Sequence, residues 1–466
     1  MLRSALLILS GNATASLLLL ARNLIVARMI PVADYGVAST FAVAMAVVEM
    51  ASALGLQQQI VQSKQGDDPH FQAALQGFQL VRGVISAVVL FAIAGPMARF
   101  MGIPEVIWAY QLLALVPVLN ALVHFDIHRL NRQRVFWPML LTGALPALAS
   151  VLALWPLAQW FGDWRVMLYA IVVQAVLGAA VSHLVATRPY KLAFDPAIMK
   201  QSLRFGWPLL ANGVLLFLVF NAEKLILGRT LGMETLAIFS MGLTLTLTPT
   251  LVLAKSVQNI LLPRLSAANH DPARFGRMAT AAVQLVLLLG LGFALITLLI
   301  GAPFTHLLLG EKYAALLPLL FWFAIQQALR VLKASPAIVA LAQGRTANAM
   351  LANLIRVAAL PLCWYIATTS GDLLTILWVA TIAEVLGYMV ALWLLRDTLD
   401  LRNRAMVMPH GVAAAVVLGA VAWVLTVPTL TDVAPLLVWV AAGAGMALCL
   451  AVMPDLRAYI RTLKTP

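Results

Sequence analysis

The chain has 466 residues, of which 62% are hydrophobic and 11% charged, with a net charge of +13. A soluble protein carries roughly a quarter charged residues, so this chain has too little polar material to cover a surface facing water, and lipid is the solvent that suits it. Its Lys and Arg residues fall in short links between apolar runs and not along one basic face, which excludes a nucleic-acid partner.

A hydrocarbon core about 30 Å thick is crossed by about twenty apolar residues in a helix. Runs of that size lie at 6–27, 35–57, 78–100, 107–125, 138–161, 165–186 and 206–228, then at 236–254, 279–302, 314–335, 347–368, 374–395, 410–428 and 434–453. The expected fold class is an all-α polytopic membrane protein of about fourteen transmembrane helices. The first run has the outline of a secretion signal, with Arg3 before an apolar stretch. It carries Asn12 in its middle and is repeated later, so it is read as a retained span, and the Asn12-Ala13-Thr14 sequon within it as unmodified. The "LTLTLTPT" stretch at 243–250 alternates like a strand, but the apolar length on both sides predicts a helix. Pro117, Pro146, Pro249, Pro318 and Pro361 fall inside runs and are expected to kink them. Cys363 and Cys449 both lie in apolar runs, so packing is expected of them and neither a disulfide nor a metal framework.

An even number of spans puts both termini on one side, and the excess of Lys and Arg identifies that side as cytoplasmic. Arg129, Arg132 and Arg134 follow the fourth run, and Arg188, Lys191, Lys200 and Arg204 the sixth. Arg264, Arg274 and Arg277 follow the eighth, and Arg396, Arg402 and Arg404 the twelfth, whereas the outward links carry only Arg28, Arg99, Arg165, Arg229 and Lys312. The links are short, so no soluble domain is expected. No phosphate-cradling G-x-x-x-x-G-K-[ST] loop occurs, which excludes self-powering by ATP hydrolysis.

The sequence repeats itself. "NLIVARMIPVADYGVAS" at 23–39 lies over "KLILGRTLGMETLAIFS" at 224–240, and in the same register Leu2-Arg3 falls on Leu203-Arg204 and Gln57 on Gln258. Two bundles of six spans are expected, 1–190 and 191–400, with 401–466 adding the last two spans. An even number of spans per copy makes the copies parallel, related by a pseudo-two-fold along the membrane normal. At these residues the chain resembles a known family. The "NLIVARMIPVADYG" turn, its second copy and "LLPRLS" at 261–266 are similar to the signatures of Wzx-type polysaccharide flippases, of the multidrug/oligosaccharidyl-lipid/polysaccharide exporter superfamily. That resemblance implies a multi-pass protein of the bacterial inner membrane. It also implies translocation of an undecaprenyl-diphosphate-linked oligosaccharide (an O-antigen, capsule or exopolysaccharide unit) to the periplasmic face, in company with a polysaccharide polymerase and glycosyltransferases.

Ionisable residues inside spans cost about 2.5–3.5 kcal/mol each at mid-helix. Here they are Arg22, Arg82, Lys224, Arg330, Lys333 and Arg356 against Glu49, Glu223 and Glu384, so pairing leaves a surplus of cations. Several sit on polar stripes: Gln76, Gln79, Arg82 and Ser86 in the third span, Gln326, Arg330 and Lys333 in the tenth, Asn353 and Arg356 in the eleventh. The six cations are the candidate substrate site, a cationic cavity suited to a diphosphate. The three carboxylates are candidates for ion coupling, or else for structural ion pairs. His124 and His128 stand at metal-ligand spacing without a third ligand and are placed among the cytoplasmic headgroups, so no metal or cofactor is expected. The expected activity is therefore transport and not catalysis. The alternatives are a lipid II flippase and a cation antiporter for drugs or metabolites, the second disfavoured by the sign of the buried charge. A glycan polymerase or ligase would need a large external loop.

Overall fold

The computed structural model describes the backbone of residues 2–51, 54–345, 347–426 and 434–464, with the side chains of 2–13, 50, 51, 208, 209, 211, 212 and 462–464 left out. Helices and turns make up these residues, and no strand occurs among them. The first half contains α1 (Leu2–Met29), α2 (Val32–Ala51), the short α3 (Leu56–Gln62), α4 (Pro69–Phe100), α5 (Ile107–Leu113), α6 (Leu115–Ala121) and α7 (Asp126–Arg132). It continues with α8 (Trp137–Leu152), α9 (Leu154–Trp160), α10 (Arg165–Val185) and α11 (Pro196–Thr230). After α12 (Gly232–Ala268) come α13 (Pro272–Leu309), α14 (Leu317–Ala342), α15 (Ala347–Ala358), α16 (Leu360–Thr369), α17 (Leu373–Trp393), α18 (Arg404–Thr426), α19 (Leu436–Ala451) and α20 (Pro454–Lys464).

Eleven helices or helix pairs are long and apolar enough to cross a membrane, or twelve when α19 and α20, bent by 80° at their junction, count as one. The expected count of fourteen is thus not established. The two remaining runs, 6–27 and 206–228, lie on α1 and α11, parts of which fall outside the described side chains. The end of the run 410–428 also falls outside the described residues.

Helix ends follow local chemistry and not hydropathy. Asp-Pro pairs open α4, α11 and α13. The carboxylate of Asp68 accepts from the His70 N–H, that of Asp195 from Ala197 and Ile198, and that of Asp271 from Arg274. Each proline stands where its missing donor costs nothing. These caps start α4 and α11 some turns before the apolar runs at 78 and 206.

Proline inside a span denies a donor to the carbonyl four residues back. Helices break at Ala114, Ala153 and Ala359, just ahead of Pro117, Pro156 and Pro361. Pro146 and Pro249 lie within continuous helices, and Pro318 sits in the first turn of α14. The 243–250 stretch is helical within α12, its Thr246 and Thr250 hydroxyls donating to carbonyls one turn back.

By contacts the chain divides into Met1–Ser240 and Met241–Pro466. In the first unit α8 packs on α1 and α10, and α2 on α11. Ser39 and Ser240, which the internal repeat aligns, meet there through their hydroxyls at 3.2 Å. In the second unit α13 and α14 form the central pair, with α17 on α14, α15 on α17, and α18 and α20 on α13. A cluster of Leu287, Leu291, Leu295, Phe321, Ile325 and Tyr388 fills part of its core.

Helix α4 displays the solvent logic. Val84, Ile85, Val88, Val89 and Phe91 are exposed, whereas Gln72, Gln76, Gln79 and Ser86 are buried. A helix with its branched apolar face outward and its amides inward is stable in lipid and not in water.

Candidate functional site

In the second unit the helices α14, α15 and α17 gather three of the intramembrane cations around one carboxylate. Glu384, on α17, is completely buried. Arg330 Nε lies 2.7 Å from its Oε1, Lys333 Nζ 2.5 Å from its Oε2, and Arg356 Nε 3.3 Å from its Oε1. Arg330 and Lys333 come from one face of α14, where a separation of three residues brings side chains together.

Uncharged partners complete the cluster. Lys333 also donates to Asn353 Oδ1 at 3.1 Å, and Arg330 approaches Gln327 Oε1 at 3.4 Å. The close approach of α15 and α17 depends on Gly387, one turn beyond Glu384. A Cβ there would stand 2.8 Å from the Ala352 carbonyl oxygen and 3.6 Å from the Lys333 chain.

Three cations thus meet one carboxylate inside a lipid-embedded unit. The Arg356 side chain is 1% exposed, whereas Arg330 and Lys333 keep 9% and 11%, so the α14 side of the cluster is the more accessible one.

The first unit holds a second polar locus, a cavity of about 410 Å³ lined among others by Arg22, Glu49, Asn120, Thr142 and Gln174. Arg22 donates to Gln174 Oε1 at 2.5 Å. Arg82, on α4, is the charged neighbour of Glu49. Glu223 is buried and Lys224 partly buried on α11, and neither borders this cavity. The candidate residues thus divide into Arg330, Lys333, Arg356 and Glu384 in one cluster, Arg22 and Glu49 at one cavity with Arg82 beside them, and Glu223 with Lys224 on a separate helix. Gln174 was not singled out from the sequence. Its signal was a lone amide in the apolar run 165–186, the kind of polar residue that lipid tolerates only when partnered.

Polar residues outside the charge clusters serve packing. The Gln76 amide donates to the Lys191 carbonyl at 2.6 Å and accepts from the Phe125 N–H at 3.0 Å, so it ties three chain segments together. His124 and His128 are buried within the protein. His124 packs against His183 and Tyr190, each with ring centroids 5.3 Å away, and its Nδ1 accepts from the Asp126 N–H. Helical periodicity placed both on one face but said nothing of the α10 end that covers them.

Comparison with known proteins identifies a family and a fold. Residues 25–318 match the polysaccharide biosynthesis protein family. The teichuronic acid biosynthesis protein TuaB of Bacillus subtilis (strain 168) is 22% identical over 72% of this chain and 69% of its own length. The succinoglycan biosynthesis transport protein ExoT of Rhizobium meliloti (strain 1021) is 24% identical over 65% of this chain, a match that spans 61% of ExoT. The amylovoran biosynthesis protein AmsL of Erwinia amylovora is 23% identical over 59% of this chain and 72% of its own. Among solved structures, the lipid II flippase MurJ in an inward closed conformation aligns over 98% of this chain and 99% of its own, with a TM-score of 0.68 at 13% identity. An inward-facing multidrug resistance MATE family transporter of the MOP superfamily aligns over 82% of this chain and 95% of its own, with a TM-score of 0.62 at 14% identity. The fold is that of these transporters.

Proposed function

The chain belongs to the polysaccharide biosynthesis protein family, and from that premise we propose that it is a flippase carrying an undecaprenyl-diphosphate-linked oligosaccharide from the cytoplasmic to the periplasmic face of the inner membrane. The cargo is the repeat unit of an O-antigen, capsule or exopolysaccharide. The family and the relatives named for polysaccharide biosynthesis and transport support the substrate class.

One observation carries the chemistry: Arg330, Lys333 and Arg356 converge on the single carboxylate of Glu384. A diphosphate accepts charge-assisted, bidentate bonds from guanidinium groups. A cationic drug would meet repulsion at the same place, which weighs against an antiporter for such compounds. Arg22, Arg82 and Lys224, in the first unit, are the other cations proposed to meet the substrate, and the sugars meet amides such as Gln174 and Asn120. Movement is by alternating access, with the six-span lobes 1–190 and 191–400 as the moving bodies and 401–466 as an addition. Both termini face the cytoplasm, and the glycosyltransferases and polymerase of the same polymer act before and after this step. Ion coupling is assigned to Glu49, Glu223 and Glu384, with Glu49 best placed because it borders the 410 Å³ cavity and Glu384 is committed to three ion pairs.

The test is neutralisation. With Arg82→Gln and Arg356→Gln made separately and expression matched, surface polysaccharide is expected to fall about tenfold or more in each. Wild-type amounts in both would rule out the cationic site. A lipid II substrate presents the same diphosphate, and the MurJ alignment over nearly the whole chain favours that second reading. Rescue of growth in cells depleted of their own lipid II flippase would select it.

A further inference from the structure

A second cationic site lies away from the Glu384 cluster, at the junction of α12, α13 and α20. A cavity of about 470 Å³ is lined by Arg264 from the end of α12, Arg274 and Arg277 from the first turns of α13, and Asp455 and Tyr459 from α20. None of the three arginines lies within ion-pair distance of a carboxylate among the described residues. Arg264 is instead held by Tyr459, donating to its hydroxyl and lying 5.6 Å from its ring centroid.

Helix α20 is built to lie along a membrane surface. It turns by 80° from α19, buries Leu456 and exposes Arg457 and Arg461. The Leu456 N–H donates to the buried Gln284 Oε1 at 2.8 Å, and the Gln284 amide donates to the Ala405 carbonyl at 2.7 Å. One side chain of α13 thereby pins α20 beside the cavity mouth. An amphipathic helix with a basic outer face lies in the headgroup layer of a bilayer, so the cavity opens at headgroup depth.

We propose that this cavity binds the headgroup of an anionic glycerophospholipid bearing free hydroxyls, such as phosphatidylglycerol. The phosphodiester lies between the Arg274 and Arg277 guanidinium groups, which offer it paired N–H donors. The glycerol hydroxyls donate to the Asp455 carboxylate, and the acyl chains stay in the bilayer. Three arginines against one aspartate favour a single phosphate, and the carboxylate selects a headgroup with hydroxyl donors over a bare phosphomonoester. The site does not depend on what the protein carries, because it requires only that α20 lie on a membrane.

The test is lipid binding, read without any transport. Purified protein in phosphatidylcholine nanodiscs is titrated with phosphatidylglycerol or phosphatidic acid, and retained lipid is counted by native mass spectrometry. Wild type should retain phosphatidylglycerol in preference to both other lipids, and Arg274→Gln with Arg277→Gln should weaken retention about thirty-fold. Asp455→Asn should abolish the preference for phosphatidylglycerol over phosphatidic acid. Should the glutamine pair not fold, Arg274→Lys with Arg277→Lys keeps the charge and should still lose affinity several-fold, since lysine cannot bind bidentately. Retention of phosphatidylglycerol at wild-type level in the pair that folds overturns the proposal. So does equal retention of phosphatidylcholine, or displacement of the lipid by millimolar glycerol phosphate, which would identify a site for soluble anions.

Discussion

Glu384 is worth more to the second unit than any cation around it. Removing one partner of a buried ion pair strands the other at a cost of about 3–5 kcal/mol, and Glu384→Gln strands three. Arg356→Leu leaves the carboxylate with Arg330 and Lys333 still in place. Thermal unfolding in detergent should therefore fall further for Glu384→Gln than for Arg356→Leu, and the opposite order would show that the cluster is not centred on the glutamate. Two residues of α7, in a link outside the spans, add a pH dependence. Burial holds the His128 imidazole down at about 4, below its ordinary 6.5. Between these values the unfolded chain takes up a proton that the folded one refuses, so stability is lost as pH falls from about 6.5 to 4. Burial pushes the Asp126 carboxyl up, but hydrogen bonds from Arg129, from the Thr187 backbone and hydroxyl, and the Arg129 charge outweigh it and hold it at about 2. Its contribution is complete above the ordinary 3.8 and fades only as pH falls toward 2. The unfolding midpoint should thus decline on acidification through pH 5, and His128→Gln should flatten that decline while leaving any loss below pH 3.

At the scale of elements, glycine and proline decide what the apolar runs leave open. A Cβ at Gly36 would meet the Met233 carbonyl oxygen at 1.9 Å, where α2 and the start of α12 cross within the first unit. Gly387 does the same for α17 against α15, with backbone at 2.8 Å. Gly387→Ala must push those helices apart and move Lys333 with them. It should lower the unfolding temperature by several degrees, consistent with an overpacking cost of about 1–3 kcal/mol, and it should do so without changing any charge. An unchanged unfolding temperature would mean that α15 is free to shift. The Asp-Pro caps were readable in advance as helix starts. Asp68-Pro69 and Asp271-Pro272 open α4 and α13, which carry the third span of each half of the repeat. Hydropathy passed over them because it reports where lipid begins and not where the helix does.

For the whole molecule, orientation is the most direct test. Reporter fusions at both ends should be active only when cytoplasmic, as the excess of Lys and Arg on that side requires. A periplasmic signal at one end only would mean an odd number of spans, and then α1 or α11, the two helices absent from the twelve, is the one to re-examine. The relatives confirm the fold across nearly the full chain at low identity, as expected where lipid exposure constrains hydropathy far more tightly than residue identity.

The sequence by itself determined the solvent, the helical class, the repeat and which charges fall within apolar runs, because each depends only on composition and spacing along the chain. Periodicity singled out Arg330, Lys333 and Arg356, and charge sign marked them as a surplus. That all three answer to Glu384 was decided by tertiary structure, since it takes three helices and the missing side chain of Gly387 to bring them within 3.3 Å. The same is true of the burial of His124 and His128, which one helix alone could not reveal. A helix face is a property of its own residues, but what covers that face is a property of its neighbours.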